Sequence, residues 1–300
     1  MPGAPASFLD PALLARISDL ALLARTVVDG FMHGQHRSMR KGSSMDFAQH
    51  RSYQPGDDLR RIDWRVLGRT DRFYIKEFEA DTNASVTFAL DASASMDYGS
   101  GKVTKYDYGR FLIASLAWLS QNQGDRVGLV TFKGKDLADV VPPSTRHLQL
   151  LLYTLARSKA SGSGLLLQAI DRLAHMSSRA GIVVLVTDCY EKPEAIGKAI
   201  DSLRMRGHDV IIFHLVDAAE RDFPFTAATT FEDAETGKRL PLNPADLKKS
   251  YKKLIAEHHA ALAQRLVSSG ADYIRVDTDQ PLDRSLHAYL DRRLSRSRVR

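Results

Sequence analysis

A chain of 300 residues with 44% hydrophobic and 26% charged residues can bury a sizeable core, and its composition excludes a disordered or fibrous protein. The net charge of +6 does not by itself point to nucleic acid, because a polyanion-binding surface needs clustered charge. The clearest cluster is the tail from Arg292 to Arg300, which reads as a solvated end, and the single cysteine, Cys189, excludes an intrachain disulfide framework.

Between Phe8 and Phe31 the apolar residues are interrupted by Asp10, Arg16, Asp19, Arg25 and Asp29. Such a segment neither inserts in a bilayer nor forms the apolar region of a signal peptide, so the protein is expected in the cytoplasm. The three- and four-residue spacing of apolar side chains predicts one amphipathic helix from Pro11 to about Gly30. His33 to His50 is polar and reads as loop or short strands. Tyr53 to Trp64 then sets a Pro55-Gly56 turn before the opposed charges Asp57, Asp58, Arg60, Arg61 and Asp63. These charges suit either a partner-recognition face or an internal ion-pair network that locks the N-terminal segment to the rest. Phe73 to Phe78 alternates like a half-buried strand and closes an N-terminal extension spanning residues 1–83.

From Ala84 the pattern becomes an alternation of strands and helices. Strands are expected at Val86–Leu90, Arg126–Phe132, Ile182–Thr187, Val210–Val216 and Tyr273–Val276. Helices are expected at Tyr106–Leu119, Leu148–Ala156, Leu165–Met176, Glu194–Met205, Pro244 to about Ser268, and Leu282–Leu294. Continuous β-branched strands between amphipathic helices predict an α/β domain over 84–294, with a mainly parallel sheet covered on both faces. Phe231 to Leu240 looks like a hairpin with Gly237 at its turn, an insertion over about 221–243, and 295–300 is a basic tail.

In an open parallel sheet the ligand site lies beyond the carboxyl ends of the strands. One strand runs into Asp91-Ala92-Ser93-Ala94-Ser95, and another runs into Asp188. A carboxylate and two hydroxyls at alternating positions of one tight loop present hard oxygen ligands to one point, which with a second carboxylate suits Mg²⁺ or Mn²⁺ and leaves a position open for an outside ligand. The same residues also suit a plain helix cap. Elsewhere, His33 and His36 lack companions at zinc spacing, Glu257-His258-His259 lacks the paired histidines of a zinc hydrolase helix, and Cys189 has no neighbouring base. No phosphate-binding glycine loop is present, so nucleotide would have to come with a partner.

The loop after Leu90 resembles the metal-site motif of von Willebrand factor A domains. Tyr53-Gln54-Pro55-Gly56-Asp57-Asp58 with Arg61-Ile62-Asp63-Trp64 resembles the signature of domain-of-unknown-function family 58 (DUF58), which couples it to a von Willebrand A-like domain. The resemblance runs from about Phe31 to Asp217 and implies a Rossmann-like fold. It aligns Asp188 with the acidic residue of the third metal loop. Where the second loop usually has threonine this chain aligns Gly164, which leaves Ser163, one residue away, as the hydroxyl at hand. The resemblance implies a non-enzymatic adaptor that captures a partner's carboxylate through the metal and works with a MoxR-type AAA+ ATPase on a client protein. The competing expectation is a magnesium-dependent phosphoryl-transfer hydrolase with Asp91 as nucleophile, but the general acid usual two residues on is replaced by Ser93.

Overall fold

The structure is a computed structural model that describes residues 10–39, 50–52, 74–76, 84–133, 136–163, 166–176, 180–227 and 229–297. The chain divides into two compact units, one of residues 1–30 with 84–300 and one of residues 31–83. Within the smaller unit, β1 (His50–Ser52) pairs antiparallel with β2 (Tyr74–Lys76). The charged segment with Asp57, Asp58, Arg60, Arg61 and Asp63 lies outside the described residues.

The expected single N-terminal helix is two. Helix α1 (Pro11–Leu14) ends at once, and α2 runs from Leu20 to Met39. The break has a local cause, because the Asp19 carboxylate accepts from the backbone N–H groups of Ala21, at 2.8 Å, and Leu22, at 3.3 Å, and so starts a new helix. Helix α2 also continues through His33 and His36, where a loop was expected.

The larger unit is built on a six-stranded sheet in the order β10-β7-β6-β3-β4-β5. Its strands are β3 (Ser85–Asp91), β4 (Arg126–Lys133), β5 (Asp136–Ser144), β6 (Ile182–Thr187), β7 (Asp209–Val216) and β10 (Asp272–Asp277). All pairings are parallel except that of the edge strand β5 with β4. The helices are α3 (Lys105–Asn122), α4 (Leu148–Arg157), α5 (Leu166–Met176), α6 (Pro193–Met205), α7 (Ala218–Asp222), α8 (Pro244–Ser268) and α9 (Asp283–Ser297). The insertion forms the antiparallel hairpin β8 (Thr229–Glu232) and β9 (Arg239–Leu242), with Gly237 at φ 68° in its turn.

Alternation along the central strands feeds two cores. Ala89, Val130, Val183 and Leu185 point to one face, where α5, α6 and α8 supply Ile170, Leu173, Ile196, Ile200, Leu262 and Leu266. The opposite face is covered by α3, α4 and α9. Gly109 sets how closely α3 lies on the sheet: a Cβ there would stand 2.9 Å from Leu90 Cδ1 and 3.2 Å from Val186 Cγ1. That close approach brings the first turn of α3 over the carboxyl ends of β3 and β6. Because the chain leaves β3 toward β4 on one side and reaches β6 on the other, the strand order reverses here and opens a crevice beyond the strand ends.

Candidate functional site

Asp91 ends β3, and Thr187 and Asp188 follow the neighbouring residues of β6, where Leu90 pairs with Val186. The Asp91 carboxylate is buried and fixed on both oxygens. Oδ1 accepts from the Ser93 backbone N–H at 2.9 Å, and Oδ2 accepts from the Thr187 hydroxyl at 2.7 Å. The Ser93 and Ser95 hydroxyls lie 3.0 Å apart, so the two alternate side chains of the loop converge. Asp91, Ser93, Ser95, Thr187 and Asp188 line one small open cleft of about 30 Å³, together with Leu166, Cys189, Tyr190, Glu191 and Glu235.

The second loop is bound to the first through backbone: Ala94 donates to the Gly162 carbonyl and Ser161 donates to the Ala92 carbonyl, both at 2.8 Å. Ser163 is exposed and does not line the cleft, and Gly164 lies outside the described residues. Among the described residues, the serine and threonine side chains that line the cleft are Ser93, Ser95 and Thr187.

Electrostatics single out Asp91. Burial, reinforced by the nearby Asp188 carboxylate, raises its pKa to about 7 despite the hydrogen bonds from Ser93 and Thr187. Among the described residues no positive side chain pairs with this carboxylate, and a cation in the cleft would supply that charge. The donor set is one such carboxylate with converging hydroxyls, all hard oxygens suited to Mg²⁺ or Mn²⁺. Among the described residues no three His, Cys, Asp or Glu side chains gather at one point, so a cation here would rest on the serine hydroxyls and water as well as on Asp91.

Residues 49–261 match the family described as "Protein of unknown function DUF58". The chain belongs to this family. Over 277 residues it is 28% identical to the uncharacterized protein Rv1480 of Mycobacterium tuberculosis (strain ATCC 25618 / H37Rv), covering 90% of this chain and 86% of that one. Among solved structures it is similar to the conserved hypothetical protein BatB from Bacteroides thetaiotaomicron, at 16% identity and a TM-score of 0.48, covering 72% of this chain and 100% of that one. It is also similar to the SpRpn10 VWA domain, at 12% identity and a TM-score of 0.41, covering 67% of this chain and 92% of that one.

Three features of this DUF58 chain were not found from its sequence. Lys105, at the start of α3, has no exposed surface, and its Nζ donates to Asp188 Oδ2 at 2.9 Å and to Glu220 Oε1 at 2.7 Å. Burial alone would lower its pKa, but the two carboxylates outweigh that and hold it above the usual lysine value. A signal was available: Lys105 falls three, four and seven residues before Tyr108, Gly109 and Leu112, all buried, so it occupies the apolar stripe of its helix. The backbone at Cys189 is the second feature; its thiol was expected to be unreactive, having no neighbouring base. The residue is buried and adopts the left-handed φ of 53°, rare for a non-glycine residue, while its carbonyl accepts from His258 Nε2 at 3.0 Å. Burial pushes its thiol pKa well up, as expected of an inert packed thiol. Glu235 is the third: the hairpin insertion brings a carboxylate from its turn to the lining of the cleft.

Proposed function

We propose that the cleft at Asp91, Ser93 and Ser95 holds a divalent cation, Mg²⁺ or Mn²⁺, and that the protein is a cytoplasmic, non-enzymatic adaptor that docks a partner there. The observation that supports this reading is the convergence of one buried, hydrogen-bonded carboxylate and two hydroxyls at the strand-order reversal of the sheet. A cation bound at this point would offer an open coordination position to a carboxylate of the partner. The chain's own groups do the rest. Thr187 and the Ser93 N–H orient Asp91, and the hairpin that carries Glu235 narrows which surfaces can approach.

The partner we propose, from the likeness of its sequence motifs to those of this family, is a MoxR-type AAA+ ATPase acting on a client protein. The hydrolase alternative lacks support in the cleft. Ser93 stands where a general acid is needed, its hydroxyl faces that of Ser95, and both oxygens of Asp91 are engaged by internal donors. Pull-down of the ATPase from lysate, with and without EDTA, tests the proposal. Wild-type protein should recover it only without EDTA, and Asp91→Ala should fail in both. Equal recovery in all arms would remove the metal bridge while keeping the partnership. Magnesium-dependent release of phosphate from esters that disappears in Asp91→Asn would replace the adaptor with an enzyme.

A further inference from the structure

One carboxylate of the cleft, Asp188, is already paired with a cation of the chain's own. Lys105 is completely buried, and its ammonium is shared between Asp188 at 2.9 Å and Glu220 at 2.7 Å, with the Tyr190 ring centroid 4.6 Å away. Asp188 is buried and lines the cleft beside Asp91. Glu220 belongs to the short helix α7, where its other oxygen accepts from the Asp217 N–H at 2.9 Å and completes a capping box. The triad of one ammonium and two carboxylates is therefore built from three separate elements, and one of its members faces the cation site.

An ammonium in direct contact with one carboxylate of a divalent site changes what that carboxylate can do. Asp188 is charge-paired by the protein itself, whereas the donors to Asp91 among the described residues are the Ser93 backbone N–H and the Thr187 and Ser93 hydroxyls, all neutral. We infer that Lys105 is a resident counter-cation that competes with a divalent ion for Asp188 and so sets the ion's affinity, leaving direct coordination to Asp91, Ser93 and Ser95. The inference rests on the reading of the cleft as a cation site. It makes Lys105 a positioning residue, and it makes the occupancy of the cleft depend on how the ammonium is divided between Asp188 and Glu220. Anything that draws Glu220 away gives Lys105 wholly to Asp188, and anything that draws Lys105 away frees Asp188 for the divalent ion.

Titration of Mn²⁺ by electron paramagnetic resonance tests this on the full chain, in wild type, Lys105→Met, Glu220→Gln, Asp188→Asn and the double variant Lys105→Met/Asp188→Asn. Freeing the Asp188 carboxylate for the dication should tighten Mn²⁺ by at least roughly tenfold in Lys105→Met. Glu220→Gln should weaken it severalfold. Asp188→Asn should change it little, and the gain of Lys105→Met should vanish in the double variant, because it acts through Asp188. A purely structural lysine would lower the melting temperature in these variants without moving Mn²⁺ affinity in opposite directions. Should Lys105→Met fail to fold, Lys105→Gln keeps a donor to Asp188 and should show the same sign with smaller size. Unchanged or weaker binding in the lysine variants, or a gain that persists without Asp188, overturns the inference. Asp91→Ala separates the two readings: equal binding by wild type and Asp91→Ala defeats the cleft as the cation site, whereas loss in Asp91→Ala with no gain in Lys105→Met defeats only the role of Lys105. Absence of Mn²⁺ binding in every variant overturns both.

Discussion

Two groups of carboxylates stand at the same edge of the sheet and are treated in opposite ways. Asp188 and Glu220 are charge-paired from within, because the Lys105 ammonium bridges them at 2.9 Å and 2.7 Å. Among the described residues Asp91 has neutral donors only, and its pKa is raised to about 7. The difference separates the two strand-end carboxylates that line the cleft: Asp188 is held by an ammonium, and Asp91, buried among neutral donors, is the one fitted to an external cation.

The largest effect should come from breaking the internally satisfied group. Lys105→Ala leaves two neighbouring carboxylates without their ammonium, and urea denaturation at neutral pH should show a loss of about 3–5 kcal/mol. A loss below about 1 kcal/mol would mean that the triad does not hold α3 to the strand ends.

The opposite sign is expected at Asp91. Its folded pKa of about 7 lies above the ordinary 3.8, so the folded protein binds a proton more tightly than the unfolded chain. Without metal, stability should therefore fall as pH rises from about 4 to about 7 and stay reduced above that. Asp91→Asn removes this slope, and at pH 8 in EDTA it should be more stable than wild type by about 2–4 kcal/mol, a difference that closes near pH 4. Parallel pH profiles for the two proteins would show that Asp91 has a positive partner after all.

A smaller change should follow from pushing α3 off the sheet. Gly109→Ala forces its new methyl against Leu90 and Val186 and should cost about 1–3 kcal/mol in urea denaturation. The smallest effect is expected at the exposed hairpin, where Glu235→Ala should alter stability by less than about 0.5 kcal/mol and change only partner recovery. A large loss of stability there would make the insertion part of the core.

Much of the fold was legible because the central strands are buried on both faces and read as unbroken apolar runs. Val183 to Val186 and Val210 to Phe213 leave no polar face to misread. The edge strand β5 was missed for the converse reason. It is mostly exposed, it carries Pro142 and Pro143, and its pairing with β4 shifts register between Val127 and Leu129, so it shows neither a run nor a clean alternation. The break at Asp19 was missed because the apolar spacing continues across it and only the capping carboxylate marks the restart. In the site, Asp91, Ser93, Ser95 and Asp188 could be read from strand ends, since chain order alone puts them in one crevice. Lys105 and Glu235 arrive from other elements, and no local pattern shows which helix turn or hairpin tip will reach the crevice.

The central claim is that Asp91 is the carboxylate left for an outside cation, and calorimetric titration of Mg²⁺ or Mn²⁺ near pH 8 tests it most directly. One ion should bind wild-type protein in the micromolar to millimolar range, with binding lost in Asp91→Ala. Unchanged binding in Asp91→Ala, or none in wild type, would contradict the account.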